Sequence, residues 1–162
     1  MSSKYYLPII LFFPVLLIQG TVIPLIAVNG IIPDLILILL VFYSMNYGQL
    51  YGTVLGFIFG FLFDLITGSL LGSSMLSKTI AGFIAGYFSN ENKRDIYFKA
   101  YSFSLIVLLC STIDSVVNSF FTTAELNTNL FNLIFLQGML PAVYSAVIGA
   151  FVILFYPKRS LS

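Results

Sequence analysis

The sequence predicts an all-α membrane protein built from six membrane-spanning helices, with both chain termini in the cytoplasm. Of its 162 residues, 59% are hydrophobic and only 8% are charged, and the mean hydropathy is +1.04. Water-soluble domains carry about 25% charged residues, so this chain folded in water would expose large apolar patches. The apolar residues also form long runs separated by short polar segments. These observations favour the lipid bilayer as its solvent.

The apolar runs set the predicted helices, because a membrane span needs roughly 20 apolar residues. We expect one membrane domain over residues 1–162, with helices at about 5–28, 33–46, 49–66, 71–88, 96–121 and 130–156. The first run is too long for a typical signal peptide and lacks a clear cleavage site, so we interpret it as an uncleaved helix. The second is short, and we expect it to be tilted or partly buried in protein.

The distribution of basic residues predicts the orientation. With six alternating helices, every basic residue outside the spans lies on one side of the membrane; these residues are Lys4, Lys93, Arg94, Lys99, Lys158 and Arg159. The loops on the other side contain no Lys or Arg. The positive-inside rule therefore places both termini in the cytoplasm.

Four ionisable residues fall within or at the edge of the predicted spans, and they are Asp34, Asp64, Lys78 and Asp114. Their positions along the helices place all four in the outer half of the membrane, at a rise of about 1.5 Å per residue. Helix side chains lean toward the helix N-terminus, so Asp64 and Lys78 would lean toward each other across antiparallel helices. We therefore expect an Asp64–Lys78 ion pair.

Two interpretations of these charges remain open. The ion pair could only lock two helices together, because intramembrane charges are costly and one partner relieves the cost. Alternatively, all four residues could line an outward-facing cavity or partner surface, together with Asn118 and Gln137. In that case the excess of acids over Lys78 implies that some carboxylates are protonated, solvated or facing a partner.

Small residues recur every four positions on the third and fourth predicted helices. This spacing lets helix backbones approach closely in lipid, and it predicts tight packing between the two helices. The glycines to which we assign this packing role are Gly52, Gly56, Gly60, Gly72, Gly82 and Gly86.

Other residues limit the chemistry available to the chain. There is no His, and Cys110 is the only cysteine, so we expect no multi-Cys metal site, no internal disulfide and no cofactor. A net charge of +1 without a basic stretch gives nucleic acid no binding surface. The nearest catalytic candidate is Ser74 with Lys78, but no third group or oxyanion hole accompanies it. We therefore expect no enzyme.

Residues 33–88, about a third of the chain, contain several motifs in a defined order and spacing. These are Pro33-Asp34-Leu35, the glycine series from Gly52 through Gly56 and Gly60 to Asp64, the segment Gly68-Ser69-Leu70-Leu71-Gly72 leading to Lys78, and the pair Gly82 and Gly86. In their order and spacing these motifs resemble the central region of MreD, a family of bacterial rod-shape-determining proteins.

The resemblance implies a multi-pass component of the bacterial cytoplasmic membrane. MreD proteins act with the bitopic periplasmic protein MreC, the MreB filament and the peptidoglycan synthases in cell elongation. Their architecture is thought to be that of the substrate-capture components of energy-coupling-factor transporters. The resemblance thus implies a non-enzymatic scaffold that maintains rod shape and organises peptidoglycan synthesis. The alternative is a substrate-capture subunit of a vitamin-type importer, although residues 5–28 lack the Ala-x3-Ala motif that such subunits often use for docking.

Overall fold

A computed structural model describes residues 7–22, 25, 32–89, 99–123 and 139–155. All the regular secondary structure within these ranges is helical. The six helices are α1 (Leu7–Thr21), α2 (Leu35–Tyr47), α3 (Gln49–Thr67), α4 (Ser73–Tyr87), α5 (Ala100–Thr123) and α6 (Leu140–Phe155).

Glycines and one aspartate set the boundaries of the central helices. The Asp34 carboxylate caps α2 by accepting a hydrogen bond from the Leu37 amide at 2.9 Å, which satisfies one of the free N–H groups of the first turn. Helix α3 ends at Gly68, whose left-handed backbone (φ 67°) is typical of helix C-termini. Pro33 precedes the capping residue, so α2 begins two residues later than the predicted helix 33–46.

Helix α2 is the centre of the bundle. Eight of its 13 residues are buried, as expected for a helix that is hydrophobic on all sides. One face packs with Phe12 of α1 and Phe59 of α3. The other face packs with Ala81 of α4 and a group on α5 that includes Cys110. The short second helix is thus surrounded by protein, in agreement with the expectation from its length.

Four of the remaining helices pack as two antiparallel pairs, and the bundle presents an apolar outer surface. Helix α3 packs most extensively against α4, and α5 against α6. Large apolar side chains remain exposed on the outside, for example Leu50, Phe57 and Phe120. Soluble monomers rarely expose contiguous apolar surface of this kind, so the surface suits a lipid environment.

Two helices of the described ranges are long and apolar enough to cross a membrane, α3 and the segment Tyr101–Phe121 of α5. The other apolar helices are shorter. Helix α1 ends at Thr21, and Leu25 lies in a separate turn in which its amide bonds to the Val22 carbonyl. The predicted continuous helix over 5–28 is therefore wrong in extent.

The predicted last helix, 130–156, begins in a stretch outside the described residues. From residue 140 onward the structure has the expected helix, α6. Gln137, which the sequence analysis placed with the polar cluster, lies outside the described ranges as well.

Candidate functional site

A cavity of about 600 Å³ lies at the end of the bundle where α1 and α3 end and α2, α4 and α6 begin. All six helices contribute to its wall. Its polar lining comes mainly from Gln19, Asp34, Thr67, Ser74, Lys78, Ser111, Asp114, Ser115, Asn118, Ser119 and Ser145. Cavities of about 300–1,000 Å³ are typical of small-molecule and cofactor sites, so this is the place where the fold can hold a ligand or a partner group.

The ammonium group of Lys78 joins three helices in the wall of the cavity. Its Nζ lies 2.5 Å from Asp34 Oδ2 on one side and 3.3 Å from Asp114 Oδ2 on the other. The ring of Phe63 lies beneath the same atom, with its centroid at 5.5 Å. Only 3% of the Lys78 side chain is exposed. We call Asp34, Lys78 and Asp114 the Lys78 cluster.

Asp34 is held in place from several directions. Its Oδ1 accepts hydrogen bonds from the Leu37 amide and from Gln19 Nε2, at 2.9 and 3.3 Å. Its own amide donates to Ser145 Oγ at 2.9 Å. The carboxylate therefore connects α1, α2 and α4 at the mouth of the cavity, the backbone amide of Asp34 adds α6, and the side chain is 21% exposed.

Asp114 is the more deeply buried acid of the Lys78 cluster. Its Oδ1 accepts a hydrogen bond from Ser77 Oγ at 2.7 Å, and its Oδ2 accepts from Lys78. Ser111, Ser115 and Asn118 also line the cavity from α5. With Asp114 they follow the i, i+3, i+4, i+7 pattern of one helix face. Helix α5 therefore presents a polar stripe to the cavity.

Asp64 does not pair with Lys78, and the expected Asp64–Lys78 ion pair is wrong. Its carboxylate accepts hydrogen bonds from the Gly72 amide at 2.9 Å, the Met75 amide at 3.2 Å and Ser69 Oγ at 2.8 Å. The short turn after α3 brings the unsatisfied N–H groups of the first turn of α4 to this carboxylate. Asp64 thus holds the start of α4, while Lys78 turns to α2 and α5.

The glycine series lies at the contact between α3 and α4. A methyl group at Gly56 would overlap the Lys78 carbonyl, and one at Gly60 would overlap the backbone of Met75. Gly52 and Gly82 face each other in the same way, and Gly86 faces Gln49. The two backbones are therefore close enough that no larger side chain fits between them.

Gly72 belongs to a different class from the other glycines of the series, which corrects its expected packing role. Nothing lies within 4 Å of a Cβ built at this position. Its φ of 105° instead places it in the left-handed region that favours glycine. Gly72 therefore allows the turn before α4 and presents its amide to Asp64.

Several site residues were not anticipated from the sequence. Gln19 bridges α1 to α2, because its amide nitrogen donates to Asp34 and its Oε1 accepts from the Ile36 amide at 3.1 Å. Gln19 could have been predicted as a site residue, because it is a polar residue inside an apolar run of the sequence. Ser77 and Ser145 carried no such signal, since serines are common in membrane helices.

The Ser74–Lys78 pair, named above as the nearest catalytic candidate, is not arranged for nucleophilic attack. Lys78 is engaged by two carboxylates, and an ammonium held in this way cannot act as a base for Ser74. Among the residues that the structure describes, no three His, Cys, Asp or Glu side chains are placed to hold a metal ion.

Comparison with protein-family models gives one finding that covers nearly the whole chain. The model of the rod shape-determining protein MreD matches residues 1–159. Searches of curated proteins and of solved structures gave no match. Since the family match spans nearly all 162 residues, well beyond the motifs of residues 33–88, the chain belongs to the MreD family of rod shape-determining membrane proteins.

Proposed function

We propose that this chain is a non-enzymatic scaffold in the cytoplasmic membrane, where it helps the cell-elongation machinery to organise peptidoglycan synthesis. The observation that carries the proposal is the family match over residues 1–159. The fold is compatible with it, because Lys78, the base of the candidate Ser74–Lys78 pair, is ion-paired with Asp34 and Asp114. The chain would act by holding partners in position.

The proposed arrangement in the membrane has six spans with both termini in the cytoplasm. Four of the helices are shorter than a full span, but α2 is enclosed by its neighbours, which relaxes the requirement that it match the bilayer thickness. The basic residues of the chain termini and the even-numbered loops would face the cytoplasm. The mouth of the cavity would then face the outside. This six-helix plan is the one expected of the substrate-capture components of energy-coupling-factor transporters.

The proposed partners are a bitopic periplasmic protein of the MreC type, the MreB filament and the peptidoglycan synthases. The glycine series does not provide the contact surface for them, because it is covered by the packing of α3 against α4. Partner helices would therefore contact the outer apolar faces of the bundle, and periplasmic segments would reach the cavity. The importer alternative finds no support in the family match, and we do not retain it.

Controlled depletion of the protein in the bacterium that encodes it tests this proposal. Loss of the protein is expected to turn rod-shaped cells into rounded cells, and an inducible wild-type copy is expected to restore rods. Peptidoglycan labelling by a fluorescent D-amino acid should lose its distribution along the side wall at the same time. Cells that keep their rod shape and labelling pattern after depletion would overturn the proposed function.

A further inference from the structure

The positive charge at the cavity is not available to a ligand. Lys78 Nζ is flanked by Asp34 Oδ2 and Asp114 Oδ2, and the Phe63 ring lies on another side of it. With 3% of the side chain exposed, an anion in the cavity could not reach the ammonium group without displacing a carboxylate. The cavity is therefore a poor site for an anion.

The carboxylates, in contrast, are accessible from the cavity. Their side chains are more exposed than that of Lys78, at 21% for Asp34 and 9% for Asp114. Each carboxylate offers about four lone-pair positions, whereas Asp114 accepts only from Ser77 and Lys78 within the described part of the chain. No other charged residue of the described ranges lines the cavity, and the formal charge of the Lys78 cluster, two carboxylates against one ammonium, is negative.

Ser111 gives an independent indication of an occupant. The residue lines the cavity and is only 3% exposed. The buried hydroxyl of Ser44 and the half-buried hydroxyl of Thr112 each donate to a carbonyl one turn earlier, that of Leu40 and that of Leu108. The Ser111 hydroxyl has no such bond or any other partner within the described ranges. Since every fully buried side-chain oxygen or nitrogen in these ranges has a partner, the unbonded Ser111 hydroxyl is accessible from the cavity it lines and remains available to a molecule there.

We propose that the cavity receives a cationic group with N–H donors, an alkylammonium or a guanidinium, which binds between Asp34, Asp114 and Ser111. The inference rests on the proposed function, because the group would be held by a scaffold and not converted. The cavity of about 600 Å³ is larger than the charged group alone. An apolar stem would therefore follow the group and pack against Leu16 and Pro141 at the wall.

A thiol placed in the cavity measures this charge preference directly. Ser111→Cys is made in a Cys110→Ala background, and the full-length protein is purified in mild detergent. The rates of modification by cationic aminoethyl methanethiosulfonate and by anionic sulfonatoethyl methanethiosulfonate are each divided by the rate with free mercaptoethanol. Clefts lined by one sign of charge raise the local counter-ion concentration by about 10-fold or more. The cationic reagent is therefore expected to be favoured at least about tenfold.

Two further variants keep the test decisive. Ser115→Cys, at a less buried position of the same wall, serves if Ser111→Cys does not fold. Leu71→Cys, on the exposed turn before α4, is the matched site outside the cavity and is expected to show no preference. The proposal is overturned if the cavity thiol has the same preference as Leu71→Cys, or if neither cavity thiol reacts. Equal preference would mean that a proton neutralises one carboxylate.

Repeating the measurement in washed native membranes distinguishes two sources of the cationic group, a side chain of a membrane-bound partner and a soluble amine. Protection of the cavity thiol there, lost on purification, would identify a basic side chain of a membrane-bound partner. Equal reactivity in washed membranes and in detergent would identify a soluble amine that washing removes. Because these rates do not depend on cell shape, the inference can fail while the depletion experiment still supports the proposed function, and the reverse also holds.

Discussion

Lys78 Nζ and Asp114 Oδ2 lie 3.3 Å apart although the residues are 36 positions apart in the sequence. The contact joins the first half of α4 to α5, and the same ammonium holds Asp34 at the start of α2. Three helices therefore depend on one buried cation.

Replacement of Lys78 by Met is expected to destabilise the protein by about 3–5 kcal/mol, because it leaves two buried carboxylates without their counter-charge. The measurement is thermal unfolding of the purified protein in detergent, together with the yield of monodisperse protein. Lys99→Met, at an exposed lysine, is the matched control and should change stability little. Normal yield and stability of Lys78→Met would show that the cluster is not an essential lock between helices.

Restoring charge balance is expected to recover part of that loss. In the triple variant Lys78→Met, Asp34→Asn, Asp114→Asn, no charge of the Lys78 cluster remains, and a neutral replacement of a buried ion pair is often tolerated. The triple variant should therefore unfold at a higher temperature than Lys78→Met alone. A triple variant as unstable as the sum of the single variants would argue against electrostatic coupling within the cluster.

The contribution of Asp64 to stability should depend on the hydrogen bonds that its oxygen atoms accept and not on its negative charge. Asp64→Asn can keep one oxygen at the Gly72 and Met75 amides, and its amide nitrogen can donate to Ser69. Asp64→Ala loses all three hydrogen bonds, with an expected cost of about 1–2 kcal/mol, as for the loss of a helix cap. Comparison of the two variants by thermal unfolding tests this. Equal losses would mean that the negative charge itself stabilises α4.

Close approach of α3 and α4 predicts that Gly56→Ala is destabilising. The new methyl group would meet the Lys78 carbonyl, a backbone atom that cannot rotate away, and overpacking typically costs about 1–3 kcal/mol. Gly20→Ala is the control, since nothing lies within 4 Å of a Cβ there. In a helix it should be neutral or stabilise by about 0.5–1 kcal/mol. Equal stability of the two variants would contradict the tight contact.

The proposed orientation predicts which turns an impermeant thiol reagent reaches. In a Cys110→Ala background, Leu71→Cys lies at the cavity end of the bundle, and Ser89→Cys follows the opposite end of α4. Intact spheroplasts should allow labelling of Leu71→Cys only, and permeabilised spheroplasts labelling of both. Labelling of Ser89→Cys alone in intact spheroplasts would invert the orientation.

Much of the fold followed from local sequence signals. The limits of α3 and α4 were predicted to within two residues, because Gly48 and Gly68 mark the turns on either side of α3. The extent of α1 was overestimated, because the apolar run in the sequence continues past Thr21, where the helix ends.

The site was predictable as a set of residues but not as a set of contacts. The charges of Asp34, Lys78 and Asp114 marked them as partners in an apolar chain, and the structure brings them together. The predicted pairing of Lys78 with Asp64 failed because Asp34 at the start of α2 and Asp114 on α5 both contact the ammonium group. It overlooked the free amides at the start of α4, which take the Asp64 carboxylate. Gln19 and Ser145 could be assigned to Asp34 only once the helices were in place.

The most direct test of the central claim is purification of the tagged protein from its native membrane in mild detergent, followed by mass spectrometry. The proposed scaffold should recover a bitopic coiled-coil protein of the MreC type together with peptidoglycan synthases, at levels well above those from an unrelated tagged membrane protein. Recovery of an ATPase pair with a coupling subunit, without wall synthases, would contradict the account and make the cavity a transport site.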